Sequence, residues 1–210
     1  VIYAFTKAAH KKGYEVYGIH NGITGLLKDP VEATKLDSEQ ELRQYASVGG
    51  TFIGAYNRGA RDPNIEREEN KIENLLRGKA QLGLTDIVIV GGDGSMDIVG
   101  KACLKAGLNF IGIPKTIDND LALTNRCIGF ATAIEKCTEA MHDLETTARS
   151  HGRIMILEVM GKDAGHLALH SGIAGLADAI LIPEIPYSLE NLAAHLIKIT
   201  SGERKHALVM

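Results

Sequence analysis

The sequence predicts an α/β protein with mainly parallel sheets, and two observations support this fold class. Short apolar segments, of which residues 86–90 (Asp-Ile-Val-Ile-Val) are the clearest, alternate with helical patterns of ten or more residues. An uninterrupted apolar run is typical of a strand that is buried on both faces of a sheet. Helices between such strands indicate right-handed βαβ units. We therefore expect two Rossmann-like, three-layer lobes.

The first half of the chain supplies four helical segments and three strands. Ile2, Phe5 and Ala9 recur at helical spacing, and Ser38 stands where a helix cap is expected. A pair of glycines ends the apolar strand, and Pro114 is expected to end the next one. The predicted elements are a helix from residue 2, helices at 39–47, 65–82 and 96–106, and strands at 14–19, 86–90 and 109–113.

The second half continues the same alternation. Phe130, Ile134, Cys137 and Met141 follow one another at steps of three and four residues, and Ser188 is placed to cap a later helix. The predicted elements are helices at 130–149, 167–176 and 189–200 and strands at 153–159, 179–182 and 206–210. The polar segment 115–129 has no periodicity, and loops of this length in compact α/β domains are commonly functional.

Composition and charge exclude several kinds of partner. The 210 residues carry a net charge of −3 with acids and bases mixed along the chain, so neither a nucleic-acid-binding face nor a membrane tether is expected. No apolar run approaches the ~20 residues of a membrane-spanning helix. Cys103, Cys127 and Cys137 form no CxxC pair, which favours reduced thiols in the cytoplasm. The chain opens with Val1 inside a helical pattern and closes on a strand pattern, so we expect a fragment.

The segment Gly91-Gly92-Asp93-Gly94-Ser95 follows the buried strand and precedes a helix. Ligands bind at the carboxyl ends of strands in open α/β sheets. Glycines let backbone N–H groups approach phosphate oxygens, and a helix N-terminus adds partial positive charge. Asp93 fits such a site if Mg²⁺ lies between its carboxylate and the phosphate. The alternative is a tight strand-to-helix turn that Asp93 caps.

Two aspartates two residues apart follow the next strand, in the segment Lys115-Thr-Ile-Asp118-Asn-Asp120. Clustered carboxylates are costly unless cations or a reacting hydroxyl compensate them. Asp118 could accept the proton of an attacking alcohol while Thr116 and Lys115 hold phosphate oxygens. The alternative is a solvated polar loop, which two such segments on neighbouring strand ends make less plausible.

A third glycine-containing turn, Glu158-Val-Met160-Gly161, again follows an apolar strand. Met160 and Gly161 could contact a sugar phosphate, and the helix that starts after Gly165 could help to hold an anion. An ordinary turn and surface arginines are the alternatives. The candidate sugar-phosphate contacts in this turn are Met160, Gly161 and Lys162, and Arg153 and Arg58 are candidate phosphate clamps.

Together these motifs resemble those of the 6-phosphofructokinase family in order and spacing. The resemblance runs along nearly the whole chain and rests on Gly91-Gly-Asp-Gly-Ser95, Pro114-Lys-Thr-Ile-Asp-Asn-Asp120, Ile128-Gly-Phe130 and Glu158-Val-Met-Gly161, with Gly49-Gly-Thr-Phe-Ile-Gly54 also similar. The Thr-Ile-Asp-Asn-Asp motif is highly specific, whereas the glycine turn also occurs in NAD kinases and diacylglycerol kinases. In this family a first glycine loop would precede Val1 and further sugar-phosphate residues would follow, so the chain would carry only part of the site.

The resemblance implies Mg²⁺-dependent transfer of a phosphoryl group to the 1-hydroxyl of fructose 6-phosphate, with Asp118 as the base and Asp93 on the metal. Arg58 approximates the transition-state arginine, although its loop is one residue shorter than the common bacterial pattern. The implied catalytic residues are Asp118, Thr116, Lys115 and Arg58; those for the sugar phosphate are Thr116, Asp118, Asp120, Arg153, Met160, Gly161 and Lys162; those for the donor are Gly92, Asp93, Gly94, Ser95 and Arg58.

The donor is predicted from a mixed pair of residues. In similar enzymes, glycine at both 94 and 115 accompanies ATP, while aspartate at 94 and lysine at 115 accompany pyrophosphate. This sequence combines Gly94 with Lys115. Gly94 leaves room for a nucleotide, and steric exclusion is harder to overcome than an added positive charge. We therefore expect ATP, with pyrophosphate as the alternative.

The resemblance also implies an organisation and an assembly. Residues 1–130 would form the donor-binding lobe and residues 131–210 the sugar-phosphate-binding lobe, with the boundary near Phe130 and the active site between the lobes. A homo-oligomer, either a dimer or a tetramer, is expected by analogy. Two other functions stay open: a related kinase that acts on NAD or a lipid, and a non-catalytic subunit that binds sugar phosphates.

Overall fold

The computed structural model describes residues 1–56 and 68–210. Within these ranges, helices and strands alternate along most of the chain. The helices are α1 (Ile2–His10), α2 (Ile23–Leu27), α3 (Glu39–Arg43), α4 (Glu68–Leu82), α5 (Asp93–Lys105), α6 (Phe130–His151), α7 (His166–Ala174) and α8 (Leu189–Thr200). The strands are β1 (Tyr17–Ile19), β2 (Ala33–Lys35), β3 (Asp86–Gly91), β4 (Asn109–Thr116), β5 (Ile128–Gly129), β6 (Ile154–Ile156) and β7 (Ala207–Val209).

The described strands form three small sheets, and two of them contain parallel pairs. One sheet has the order β3-β4-β5, with β4 and β5 parallel, and in another β6 pairs in parallel with β7. The third is an antiparallel pair of β1 and β2, which the sequence analysis did not predict. The predicted α/β class with mainly parallel sheets is confirmed.

The chain divides into two compact units, each with its own apolar core. The first comprises Val1–Val90 and Gly94–Ile113 and the second comprises Gly91–Asp93 and Pro114–Met210. The division falls before the boundary expected near Phe130, because β5 pairs with the end of β4 and α6 contacts β5, β6, β7 and α7. The core of the first unit contains Ile23, Leu26, Leu27, Leu75, Ala102, Cys103 and Leu108; the second has one cluster of Met141, Ala148, Ala168, Leu208 and Met210 and another of Leu196, Ala207 and Val209.

Strand β4 continues through Pro114 to Thr116, so the expectation that it ends at Pro114 is wrong. Proline supplies no N–H group to a sheet, but its φ is compatible with extended chain. Pairing with β5 begins one residue later, where Lys115 lies opposite Ile128, so Pro114 interrupts no bond between these two strands. Lys115 and Thr116 are therefore strand residues at the carboxyl end of β4.

Both predicted helix caps are confirmed. Ser38 Oγ accepts a hydrogen bond from the Glu41 N–H (3.2 Å), and Ser188 Oγ accepts one from the Asn191 N–H (3.2 Å). The regular strand expected at 179–182 is wrong, because only Ala179 forms a bridge there, to Val209. None of the helices in the described part of the chain is long and apolar enough to cross a membrane.

Candidate active site

The glycine turn after β3 and the polar segment at the end of β4 lie in direct contact. A methyl group added to Gly92 would be 3.3 Å from Thr116 Cβ and 3.8 Å from the Lys115 carbonyl oxygen. Such a distance is tighter than most contacts of a real Cβ, so the close approach of the two strand ends favours glycine at this position. Asp93 follows at once as the first residue of α5, and it is exposed.

Thr116 and Asp118 are joined by a hydrogen bond. The Asp118 N–H donates to Thr116 Oγ1 at 3.1 Å, which fixes the backbone of Asp118 relative to the end of β4. A hydroxyl group both accepts and donates, so this bond leaves the hydroxyl hydrogen of Thr116 for a phosphate oxygen. The structure thus brings Gly92, Thr116 and Asp118 together at one edge of the sheet, as the sequence predicts.

The carboxylate of Asp118 is in an unfavourable environment. Its Oδ1 atom is shielded from solvent and, among the described atoms, has no hydrogen-bond partner. Burial raises the pKa of Asp118 above its ordinary value, and the negative charge of Asp120 raises it further. A buried oxygen without a partner costs stability, and such cost is typical of a group retained for function.

Five further predicted site residues are Gly94, Ser95, Lys115, Asp120 and Arg58, and the structure describes four of them. Gly94 and Ser95 lie in the first turn of α5. Lys115 is exposed at the end of β4, and Asp120 is exposed beyond Asp118. Arg58, the predicted transition-state arginine, lies outside the described residues.

Mg²⁺ is compatible with these residues, although no cluster would hold it alone. Within residues 1–56 and 68–210, no group of three or more His, Cys, Asp or Glu side chains could bind a metal ion. Mg²⁺ is usually bound through one or two carboxylates together with substrate phosphates and waters. The exposed carboxylate of Asp93, in a glycine turn at the end of a strand, fits this kind of binding.

The predicted sugar-phosphate residues lie around β6 and the turn that follows it. Arg153 precedes β6, and its N–H donates to the Ala148 carbonyl (3.0 Å) while its side chain is exposed. Met160 is 65% exposed, which leaves it free to contact a ligand. Lys162 lies 3.5 Å from Asp163 in an exposed ion pair of the kind that contributes little to stability.

Gly161 has a backbone conformation that only glycine adopts without strain. Its φ is 120°, and a methyl group there would lie 2.5 Å from the Ala164 carbonyl oxygen. We expect Gly161→Ala to lower the free energy of unfolding by roughly 1–3 kcal/mol, measured by denaturant unfolding of the natural protein that carries this sequence. The matched control is Gly202→Ala, because a methyl group on Gly202 meets no atom within 4 Å. Equal stabilities for the two variants would contradict the expectation.

Glu184 belongs to this region, and the sequence analysis missed it. Its Oε1 accepts a hydrogen bond from the Gly165 N–H (2.8 Å), just before α7. This bond is the largest cause of a lowered pKa for Glu184, and the charge of His166 contributes less. The helix N-terminus expected to attract an exogenous anion therefore has the protein's own carboxylate on the Gly165 amide.

Fold and site define a class of α/β protein in which a glycine turn and a pair of aspartates meet at adjacent strand ends. A model of the family described as Phosphofructokinase matches residues 1–210. The chain therefore belongs to the phosphofructokinase family, which confirms the resemblance found in the sequence.

Two curated relatives are similar to nearly the whole of this chain. The chain is 43% identical over 215 residues to "ATP-dependent 6-phosphofructokinase 1" of Nostoc sp. (strain PCC 7120), covering all of this chain and 59% of that protein. It is 41% identical over 204 residues to "ATP-dependent 6-phosphofructokinase 1" of Synechocystis sp. (strain PCC 6803), covering 94% of this chain and 55% of that protein. The chain thus spans somewhat more than half the length of these curated relatives.

Solved phosphofructokinase structures share the fold. The structure of phosphofructokinase from Saccharomyces cerevisiae matches with a TM-score of 0.86 and 26% identity, over 99% of this chain and 31% of that chain. The pyrophosphate-dependent phosphofructokinase from Marinobacter aquaeolei matches with a TM-score of 0.79 and 26% identity, over 99% of this chain and 55% of that chain. A phosphofructokinase named as pyrophosphate-dependent therefore shares this architecture.

Proposed function

We propose that the natural protein carrying this chain is a 6-phosphofructokinase that transfers the terminal phosphoryl group of ATP to the 1-hydroxyl of fructose 6-phosphate. The observation that carries the proposal is the Oδ1 of Asp118 beside Thr116 and Gly92 at the edge of the sheet, which is buried and has no partner within residues 1–56 and 68–210. A carboxylate with a raised pKa, one of whose oxygens has no partner among the described residues, suits proton removal from an alcohol. The relatives named as ATP-dependent 6-phosphofructokinases support this function over phosphorylation of NAD or a lipid.

In this proposal the residues at the two strand ends act on the transferred group. Asp118 accepts the proton of the attacking 1-hydroxyl, and the Thr116 hydroxyl donates to an oxygen of the phosphoryl group. The backbone of Gly92 is proposed to lie against the phosphates, and Asp93 would hold Mg²⁺. Asp120 is proposed to contact the sugar phosphate on the acceptor side of the site. When bound, the metal neutralises phosphate charge, and positioning supplies most of the remaining catalysis. Gly94, Ser95, Lys115 and Arg58 are proposed to complete the donor contacts.

The residues after β6 are proposed to hold the sugar phosphate. Arg153 and Lys162 provide exposed cations for its phosphate, and Met160 and Gly161 contact the sugar through side chain and backbone. Glu184 can receive a hydrogen bond from a sugar hydroxyl through its second carboxylate oxygen, because only Oε1 bonds to Gly165.

Pyrophosphate is the second candidate donor, and Lys115 is the observation that favours it. An exposed ammonium at the end of β4 offers a point charge to an anion that has no adenosine to anchor it. The fold is shared with the pyrophosphate-dependent enzyme from Marinobacter aquaeolei. ATP remains the main proposal, because the relatives at 41–43% identity are named as ATP-dependent.

The proposal includes a setting for the enzyme. Assembly into a homo-oligomer, a dimer or a tetramer, follows from the family resemblance. Free thiols at Cys103, Cys127 and Cys137 are consistent with a reducing cytoplasm.

The test is an assay of the natural protein that carries this sequence, with fructose 6-phosphate and Mg²⁺ and with ATP or pyrophosphate supplied separately. We expect fructose 1,6-bisphosphate to form with ATP. Formation of fructose 1,6-bisphosphate with pyrophosphate but not with ATP would show that pyrophosphate is the phosphoryl donor. Phosphorylation of NAD or diacylglycerol would refute the proposal that fructose 6-phosphate is the acceptor. Binding of fructose 6-phosphate without any turnover would refute the proposal that the protein is an enzyme.

The raised pKa of Asp118 predicts a particular dependence of kcat on pH. A base works only when deprotonated, so kcat should fall as the pH decreases through a pKa that lies above the ordinary value of 3.8. Asp120→Asn removes the second cause of the shift and should move this acid limb to lower pH, whatever it does to the maximal kcat. The measurement is the pH profile of kcat for both proteins. An acid limb that does not move would show that Asp120 does not act on the group that titrates.

A further inference from the structure

Asn119, which separates Asp118 from Asp120, has an uncommon backbone conformation. Its φ is 55°, in the left-handed region that residues with a side chain seldom adopt. Asparagine tolerates this region better than most residues. The position therefore favours asparagine or glycine on backbone grounds alone, and only asparagine brings a side chain with an acceptor and a donor.

The side chain of Asn119 makes two hydrogen bonds to the later part of the same loop. Its Oδ1 accepts from the Cys127 N–H at 2.7 Å, and its Nδ2 donates to the Asn125 carbonyl at 3.3 Å. The amide thus ties the turn between the aspartates to the chain eight residues further on.

The backbone of Cys127 is held in place by burial and by a hydrogen bond. It is 3% exposed, and its carbonyl accepts a hydrogen bond from the N–H of Phe130 (3.3 Å), which is itself buried. The next residue, Ile128, begins β5 and lies opposite Lys115 in the parallel pair with β4. A group bonded to Cys127 is therefore held relative to the strand from which the aspartates emerge.

Hydrogen bonds on two sides consequently fix the segment that carries the two aspartates. Thr116 Oγ1 holds the Asp118 N–H from one side, and the Asn119 amide holds the following turn from the other. The two carboxylates repel each other, as the contribution of Asp120 to the raised pKa of Asp118 indicates. If the hydrogen bonds of the Asn119 side chain were lost, this repulsion would favour a loop conformation in which the two carboxylates lie further apart.

We propose that Asn119 is a positioning residue of the phosphoryl-transfer site, whose amide anchors the turn between Asp118 and Asp120 to Cys127 and so keeps Asp118 aligned with the reacting hydroxyl. The inference rests on the proposed function, in which Asp118 is the base. Asn119 itself need touch neither substrate, because its role is carried by bonds to the backbone of its own loop.

The kinetic test uses Asn119→Gly in the natural protein that carries this sequence, since glycine keeps the left-handed backbone and removes both bonds. We expect kcat to fall about 10- to 100-fold, the usual cost of slight misplacement, with little change in KM for either substrate. In an Asp118→Ser background the same substitution should have almost no further effect, because Asn119 acts through Asp118. Equal losses in the two backgrounds would overturn the proposal.

A second measurement does not depend on turnover. Hydrogen exchange followed by NMR or mass spectrometry should show faster exchange at the Cys127 amide in Asn119→Gly, confined to residues 117–127. Asn119→Asp keeps an acceptor for this amide and should keep it protected. The control is Leu123→Ala, which truncates a fully exposed side chain in the same loop and should alter neither exchange nor kcat.

Each outcome of these measurements separates the two proposals. Unchanged exchange at Cys127 would show that the bond does not hold the loop and would overturn the role of Asn119. Faster exchange that spreads through α6 would indicate a general structural role and would overturn it as well. An unaltered protein that fails to phosphorylate fructose 6-phosphate would refute the proposed function, while the exchange result would still decide whether Asn119 anchors the loop.

Discussion

Replacing Asp118 by serine is expected to lower kcat by roughly 10²–10⁴, the usual contribution of a general base, with a smaller effect on KM. Serine preserves a small polar side chain but cannot take the proton of the 1-hydroxyl at neutral pH. The measurement is steady-state kinetics of the natural protein that carries this sequence, with ATP and fructose 6-phosphate each varied. A kcat close to that of the unaltered protein would exclude Asp118 as the base.

The stability of the same variant distinguishes a catalytic loss from unfolding. Asp118 carries a buried oxygen that no described residue bonds, and Asp120 repels it, so its removal should leave the melting temperature unchanged or raise it. The matched control is Asp97→Ser, which removes an exposed aspartate paired with Lys101 at 2.6 Å on α5. Because exposed ion pairs contribute little, this control should keep both stability and kcat. A marked fall in melting temperature for Asp118→Ser would contradict the account of its environment.

The second large effect is expected at the donor site, where Gly94→Asp should abolish ATP-dependent activity far more than any activity with pyrophosphate. Gly94 lies in the first turn of α5, directly after Asp93. A carboxylate there would place bulk and negative charge where the α-phosphate of a nucleotide is proposed to lie, a cost of several kcal/mol in a desolvated site. The measurement is kcat/KM for each donor in the two proteins.

A neutral isostere separates the effect of charge from that of size. Gly94→Asn adds nearly the same volume as aspartate without the charge, so it should impair use of ATP less than Gly94→Asp does. Equal losses would assign the effect to bulk alone. An unaltered enzyme that turns over rapidly with pyrophosphate and ignores ATP would show that Lys115 determines the donor and that the argument from Gly94 is wrong.

The sequence predicts those parts of the fold that depend on local pattern. The apolar run before Gly91 is strand β3, the periodic segment from Phe130 is helix α6, and the serines at 38 and 188 cap their helices. Each of these features is fixed by side chains close together in the sequence, which is where periodicity and capping rules apply. The contact of Gly92 with Thr116 could also be predicted, because the ends of consecutive strands usually share one edge of a sheet.

Other features depend on contacts between distant segments and could not be predicted. Pro114 was expected to end β4, yet the strand continues, because the missing N–H falls before pairing with β5 begins. The short helix α2 and the strand β2 have no clear periodicity of their own, and the antiparallel pairing of β2 with β1 was not predicted either. The bonds of Asn119 to Cys127 and of Glu184 to Gly165 join residues eight and nineteen apart, and no local pattern specifies them.

The narrow space between Gly92 and Thr116 has a consequence for the redesign of the proposed donor preference. A side chain at position 92 would press on Thr116, whose hydroxyl holds the Asp118 amide, so a change intended for the donor would also disturb the acceptor. Libraries for altered donor choice should therefore vary Gly94 and Lys115 together and leave Gly92 as it is.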